Sequence, residues 1–280
     1  MGRVGSLELT GRLSVEALSS FVFDRERFDG VSVSEALKPK IEFSYRAIQD
    51  LIDRGVPIYG VTTGFGESSR RYVDRHLAEE LQKNLIEYLS CGQGREVPLE
   101  AVRAMVLIRL NSLAQGISGV SQELIDRLCT LLRHDIIPRV PCEGSLGASG
   151  DLVPLAYLGQ AVQGYGEVYY RGKPQRAEEV LKTLNLSPYK LKPKEGLAIV
   201  NGTSTMAGMA LYNLKRADFL VELAETATAW QCLLLNGKLE AFGPFINSVA
   251  KTNSGQSRSA ERISAVLAAE NYTASRGQDI

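Results

Sequence analysis

The chain has 280 residues, 44% of them hydrophobic and 23% charged, with 32 basic residues against 32 acidic ones. That is ordinary globular composition, long enough for one large domain or two small ones. The zero formal net charge argues against a nucleic-acid or anionic-membrane binder that relies on bulk charge, and no apolar run approaches the ~18 residues of a membrane span.

The opening "MGRVGSLELTGRLS" lacks the apolar core of a secretory signal, and Met1-Gly2 with Ser6 meets only the loose myristoylation pattern. Four cysteines (Cys91, Cys129, Cys142, Cys232) form no C-x-x-C, and there are two histidines, His76 and His134. A structural zinc needs clustered ligands, so no metal is expected, and the cysteines read as reduced small hydrophobes of a cytoplasmic protein. A Ser-His-Asp or Cys-His mechanism would have to use one of those two histidines.

In chain order, residues 7–33 mix short apolar alternation with a polar loop. From "SVSEALKPKIEFSYRAIQDLIDRG" the period becomes helical, and Gly55 supplies the stop. "VPIYGVTTGFGESSRR" breaks that period at Gly60, Gly64 and Gly66 and reads as a strand-like lead into a flexible loop. "HLAEELQKNLIEYLSCG" is helical to near Gly92, Pro98 opens a helix that runs to Gly116, and Ser121 starts another. A helix begins near Gly150, and "EVYYRGKPQ" reads as a hairpin turning at Arg171-Gly172. "AEEVLKTLN" is a surface helix. The longest periodic segment follows, capped by Asn201, Thr203 or Ser204 and stopped by Gly237, with small residues suited to close helix packing. "AERISAVLAAE" is a last amphipathic stretch. The expectation is a mainly α chain.

"EGSLGASGDLVPL", Glu143 to Leu155, packs three glycines and two serines into seven residues before an acid. A phosphate cradle would need Lys-Ser/Thr after the last glycine, and Asp151-Leu152 stands there. The hydrolase elbow G-x-S-x-G fits Gly147 and Ser149 but ends on Asp151. A plain turn with Asp151 complementing the next helix's dipole remains open. A further reading is that a strained turn brings the Gly150 nitrogen onto the Ala148 carbonyl, glycine being suited to such an approach. Ring closure and dehydration of Ser149 would leave an exocyclic methylidene, with Asp151 placed to assist proton transfer.

"GSLGASGDLVPLAYLG" resembles the signature of the histidine/phenylalanine/tyrosine ammonia-lyase and aminomutase family. The resemblance runs from about Ile41 to the C-terminus. It implies the N-terminal part of the fumarase/aspartase-like ammonia-lyase fold, with residues 1–200 as the reactive domain and 201–280 as the start of a long-helix bundle. It also implies that Ala148-Ser149-Gly150 matures into 4-methylidene-imidazole-5-one (MIO), with Asp151 beside it. "IYGVTTGFGE" resembles the family's lid loop, which implies Tyr59 as catalytic base and Gly66 at the substrate. "KEGLAIVNGTS" implies Asn201 beside the ring, and "LQKNLIEYLSCG" implies a selectivity helix presenting Tyr88 and Leu89.

The implied reaction is loss of ammonia from an aromatic L-amino acid to give an aryl acrylate, or return of the amine to the β-carbon in an aminomutase. Tyr59 would take a β-proton, and since an ordinary tyrosine titrates at ~10, its surroundings must favour phenolate. In the resemblance Phe-Leu goes with phenylalanine, histidine at the first place with tyrosine, and histidine at the second with histidine substrates. Leu89 therefore disfavours histidine, and Tyr88 leans toward phenylalanine, with tyrosine as the alternative.

Family members are longer, supply a further tyrosine and a carboxylate-binding arginine from their later half, and form tetramers. The closing "GQDI" resembles the start of a longer family motif, which favours a truncated or nicked chain over a natural split subunit, and a second chain could supply the rest. Asn253 stands where the family commonly has histidine. A non-catalytic partner subunit that keeps the scaffold is the rival expectation. In either case the long helix should expose an apolar face that needs covering.

Overall fold

The computed structural model describes residues 5–251 and 253–272, so the closing residues 277–280 lie outside the described residues. The chain forms two compact units divided between Tyr212 and Asn213, within its longest helix. The expected mainly α fold is what the chain adopts: ten helices and seven short strands occur among the described residues.

The first unit begins with β1 (Gly5–Leu9), α1 (Val15–Phe23) and β2 (Phe28–Val33), and β1 pairs with β2 in parallel. Here the reading of 7–33 as alternation plus loop is corrected. Ser14 accepts the Ala17 N–H and caps α1, whose Leu18, Phe21 and Val22 turn into the core. A parallel pair needs such a crossover.

Helices α2 (Lys38–Asp53), α3 (Ala78–Leu89), α4 (Leu99–Leu113) and α5 (Gln122–Arg133) follow the expected periods. Gly55 and Gly116 stop α2 and α4 at φ +69° each. Ser121 caps α5 through the Leu124 N–H at 3.3 Å. Helix α4 has nine buried residues around its circumference and is the central rod of the main core.

Strands β3 (Gln93–Glu96), β4 (Ile137–Pro138) and β5 (Pro141–Glu143) go beyond the elements that the sequence pattern predicts. Antiparallel pairing of β3 with β5 sets the end of α3 beside the glycine-rich loop. Helix α6 (Leu152–Gln163) follows that loop, and β6 (Glu167–Tyr170) with β7 (Lys173–Arg176) form the expected hairpin, turning on Arg171 and Gly172 at φ +53° and +74°. Then come α7 (Ala177–Thr183), the short buried α8 (Glu195–Val200) and the start of α9 (Ser204–Leu234). At Gly208 a Cβ would meet the Ala101 carbonyl oxygen and the Met105 nitrogen of α4, so the small residue permits that approach.

In the second unit, Ala229 and Cys232 of α9 pack with Ile263 and Leu267 of α10 (Ser254–Ala269). Asn253 caps α10 by accepting the Gly255 N–H at 2.9 Å. Within α9, Phe219, Leu220, Val221, Leu223, Trp230 and Leu234 are exposed, the uncovered apolar face that was expected. All four cysteines are free, yet Cys91 and Cys142 are exposed, so only Cys129 and Cys232 fit the reading as buried hydrophobes. Burial pushes the Cys129 thiol up to about 12. Among the described residues no helix is long and apolar enough to cross a membrane.

Candidate active site

Strand β5 delivers the chain into the loop 144–150. Gly144, Gly147 and Gly150 stand at φ +125°, +79° and +86°, values that L side chains rarely adopt. Gly147 faces Gly150 in an isolated bridge, so the loop doubles back at Ala148-Ser149, both exposed. Gly150 is required for space as well, since a Cβ there would overlap the Gly202 carbonyl oxygen. That same carbonyl accepts the Asp151 N–H at 2.7 Å.

Asn201 meets the triplet directly: its side-chain amide donates to the Ser149 carbonyl oxygen at 3.2 Å. Thr203, the residue before α9, accepts the Ala207 N–H at its carbonyl oxygen and is the cap by position, one of the three expected places. The side-chain acceptor at that end is Asp151, with one carboxylate oxygen accepting the Thr205 and Met206 N–H groups at 2.8 and 2.9 Å. The first N–H groups of a helix have no intrahelical partner and carry its positive end, so an anion there is stabilised twice over. Asp151 also keeps the place expected of it at the start of the helix after the loop, where its charge faces that helix's positive end. Asp151 is the N-cap residue of α6 by position but makes no side-chain cap bond to it. The N-termini of α6 and α9 thus meet at the residue that follows the triplet.

Behind this turn lies Arg109 of α4, only 6% exposed. Its guanidinium donates to the carbonyl oxygens of Asn201, at 3.0 Å, and of Ala198, and a Cβ on Gly202 would overlap it. Burial lowers its pKa to about 10, and the negative charge of Asp151 opposes the fall. Arg109 remains a cation at neutral pH, fixed against the backbone that presents Asn201.

The Tyr59 loop differs from its expected form. Residues 56–63 hold no strand: the Ile58 carbonyl accepts N–H groups of Val61, Thr62 and Thr63, and the Thr62 hydroxyl accepts the Ile58 N–H at 2.8 Å. Threonine side chains satisfy the backbone locally and displace a sheet ladder. Val61 is fully buried with Ile52 and Ala78, which anchors the turn. Tyr59 is 52% exposed, stacks edge-on against Phe65, and accepts the Gly66 N–H at its hydroxyl oxygen at 3.1 Å. Gly66 itself stands at φ +54°.

Tyr88 and Leu89 are separated by their places on α3. Tyr88 is 80% exposed, whereas Leu89 is 9% exposed and belongs to the main core.

A family model described as aromatic amino acid lyase matches residues 13–280. The chain belongs to the aromatic amino acid lyase family. It is 41% identical over 238 residues to a probable histidine ammonia-lyase of Thermoplasma volcanium, covering 85% of this chain and 48% of that one. It is 39% identical over 251 residues to a histidine ammonia-lyase of Bacillus velezensis, covering 90% and 49%. The crystal structure of a tyrosine aminomutase from Streptomyces globisporus superposes with a TM-score of 0.86 at 33% identity, covering 94% of this chain and 49% of that one. This lyase-family chain thus spans about half the length of the curated relatives it matches.

Of the residues expected at the site, Asn201 is bonded to the triplet, whereas no hydrogen bond links Tyr59 to it among the described residues, and Arg109 is an addition to them. An arginine at 109 sits among Val106, Leu107 and Leu110, all fully buried. A charge on that face was the available signal, because buried cations are rare without bound partners.

Proposed function

We propose that this chain carries the reactive half of an MIO-dependent ammonia-lyase that removes ammonia from an aromatic L-amino acid, with phenylalanine favoured and tyrosine possible. The observation that carries this is the Asn201 amide on the Ser149 carbonyl, at a turn where Gly150 leaves room for nothing larger. The residues fit the matured group. Gly150 has no Cβ to obstruct approach of its nitrogen to the Ala148 carbonyl, and the bridge between Gly147 and Gly150 already folds the loop back. The group would be held by Ala148, Ser149, Gly150 and Asp151, and when formed it supplies an electrophilic carbon for the substrate amine.

The remaining chemistry belongs to side chains. Tyr59 takes the β-proton, and the Gly66 N–H donates to the oxygen on which charge then develops. Asn201 holds the Ser149 carbonyl in orientation, and Arg109 holds Asn201 by its backbone. Tyr88, exposed at the end of α3, faces the substrate ring, while Leu89 braces that helix from the core. Residues 201–280 begin the long-helix bundle. The exposed face of α9 is met by further helices in an oligomer of the complete enzyme.

Histidine as substrate is the second reading, favoured by the names of the relatives and opposed by the family pattern, in which histidine goes with that substrate at position 89, where leucine stands. Assay of the native assembly with phenylalanine, tyrosine and histidine separates these readings. Detection of aryl acrylate against β-amino acid separates lyase from aminomutase. Intact mass tests the core of the proposal: two waters, about 36 Da, should be missing from the purified protein. Ser149→Ala should keep full mass and lose activity. A full-mass wild type that is inactive would leave a non-catalytic subunit as the reading.

A further inference from the structure

Gln82 lies in α3, fully buried beside Leu85 and Ile86. Its amide is bonded at both ends. The nitrogen donates to the Gly60 carbonyl oxygen at 2.9 Å, and the oxygen accepts the Leu197 N–H at 3.0 Å. Gly60 follows Tyr59 in the chain. Leu197 is in the first turn of α8, where N–H groups lack intrahelical partners, and the α8 N-cap, Lys194, makes no side-chain cap bond. The Leu197 carbonyl in turn accepts the Asn201 N–H at 3.0 Å, and the Asn201 side chain reaches Ser149. One buried amide therefore stands between the residue after Tyr59 and the segment that ends at Asn201.

Two glycines let these pieces meet. At Gly196 a Cβ would lie 2.9 Å from both the Cβ and the carbonyl oxygen of Gln82, so α8 reaches α3 only because the residue is glycine. At Gly60, φ +66°, a Cβ would strike the Phe65 ring and come within 3.0 Å of the Leu197 side chain. The Gly60 N–H is held separately by the Thr63 hydroxyl at 3.2 Å. A methionine or leucine would fill the same volume without desolvating an amide. A buried, fully satisfied polar link instead fixes one geometry among the segments it joins. Tyr88 is on the same helix, six residues later.

We propose that Gln82 is a positioning residue for the reaction proposed above: its amide couples the Tyr59 loop to α8, so that the base and Asn201 are set in one frame. The inference rests on that reading of function. Gln82 touches neither substrate nor the triplet and acts through Gly60 and Leu197.

The test compares wild type, Gln82→Met and Gln82→Glu in the enzyme purified as its native assembly. Five quantities are read: intact mass, kcat, KM, the primary isotope effect with β-deuterated substrate, and the rate of tryptic cleavage at the exposed Arg70 and Arg71 of the same loop. Gln82→Met should mature normally, because Arg109 still holds Asn201. Its kcat should fall about 10–100-fold with KM changed far less, since a misplaced base slows one step rather than binding. Its isotope effect should rise above that of wild type, and cleavage in the loop should be several-fold faster. Gln82→Glu should regain turnover relative to wild type at the same pH as pH falls, because a neutral carboxyl can donate to the Gly60 carbonyl and accept from Leu197. A Gln82→Met enzyme with wild-type isotope effect and wild-type loop cleavage overturns the proposal. So does a ratio of Gln82→Glu to wild-type turnover that stays constant as pH is lowered. If wild type turns over no aromatic amino acid, the functional reading falls, and the cleavage rates alone decide whether the amide couples the loop.

Discussion

Replacing Asp151 should separate a cap from a catalyst. In Asp151→Ala the Thr205 and Met206 N–H groups lose their acceptor at the start of a 31-residue helix. Loss of an N-cap acceptor costs about 0.5–2 kcal/mol, and loss of an anion at a helix N-terminus costs about 0.3–1 kcal/mol more. The buried Arg109 also loses the charge that opposes its burial, worth about 1 kcal/mol for a pair that is not in direct contact. Together these put Asp151→Ala about 2–4 kcal/mol below wild type. Asp151→Asn keeps an acceptor of the same shape and loses only the charge terms, so it should cost about half as much. At a urea slope of about 3 kcal/mol per M for a chain of this size, the alanine variant should unfold roughly 1 M earlier and the asparagine variant roughly 0.5 M earlier. Urea titration followed by far-UV circular dichroism measures both. Equal shifts for the two variants, or no shift for either, would refute the capping role.

Tyr59→Phe should lower kcat about 10²–10⁴-fold as a general base is lost. Because Tyr59 is half exposed and its hydroxyl, among the described residues, is bonded to the Gly66 N–H alone, the melting temperature should stay close to wild type. Full turnover in that variant would remove Tyr59 from the mechanism. Glu195 gives a pH signature independent of activity. Burial holds its carboxyl above the usual 4.5 despite hydrogen bonds from Ser121, Tyr189 and Lys192. The folded chain then keeps a proton that the unfolded chain has already lost. This group's contribution to stability is therefore full below about pH 4.5 and declines as pH rises through the folded value. Glu195→Gln should flatten that decline in a series of thermal melts, and an unchanged slope would show that the carboxyl is not the source.

Helix spans were legible where local chemistry sets them. Ser121, Gly55 and Gly116 act within a turn of their own position, and the structure places each boundary beside them. What stayed hidden was settled at a distance. The side-chain acceptor at the start of α9 is Asp151, more than fifty residues earlier. The β1–β2 pairing depends on α1, a nine-residue helix whose Ser14 cap resembles many loop serines. The lead to Tyr59 alternates like a strand, yet Thr62 and Thr63 carry hydroxyls that bind backbone, an option that alternation cannot reveal. Gln82 could have been found: it precedes Leu85, Ile86 and Leu89 by three, four and seven residues, in phase with the apolar face of α3.

The carbonyl of Gly202 receiving the Asp151 N–H imposes an order of events during synthesis. Until the ribosome has extruded at least residues 202–206 and these have swung back, the Asp151 N–H and carboxylate lack the partners that hold them in the folded chain. If the proposed ring closes, closure would wait on that contact, and the fraction of stalled nascent chains already lighter by two waters would date it.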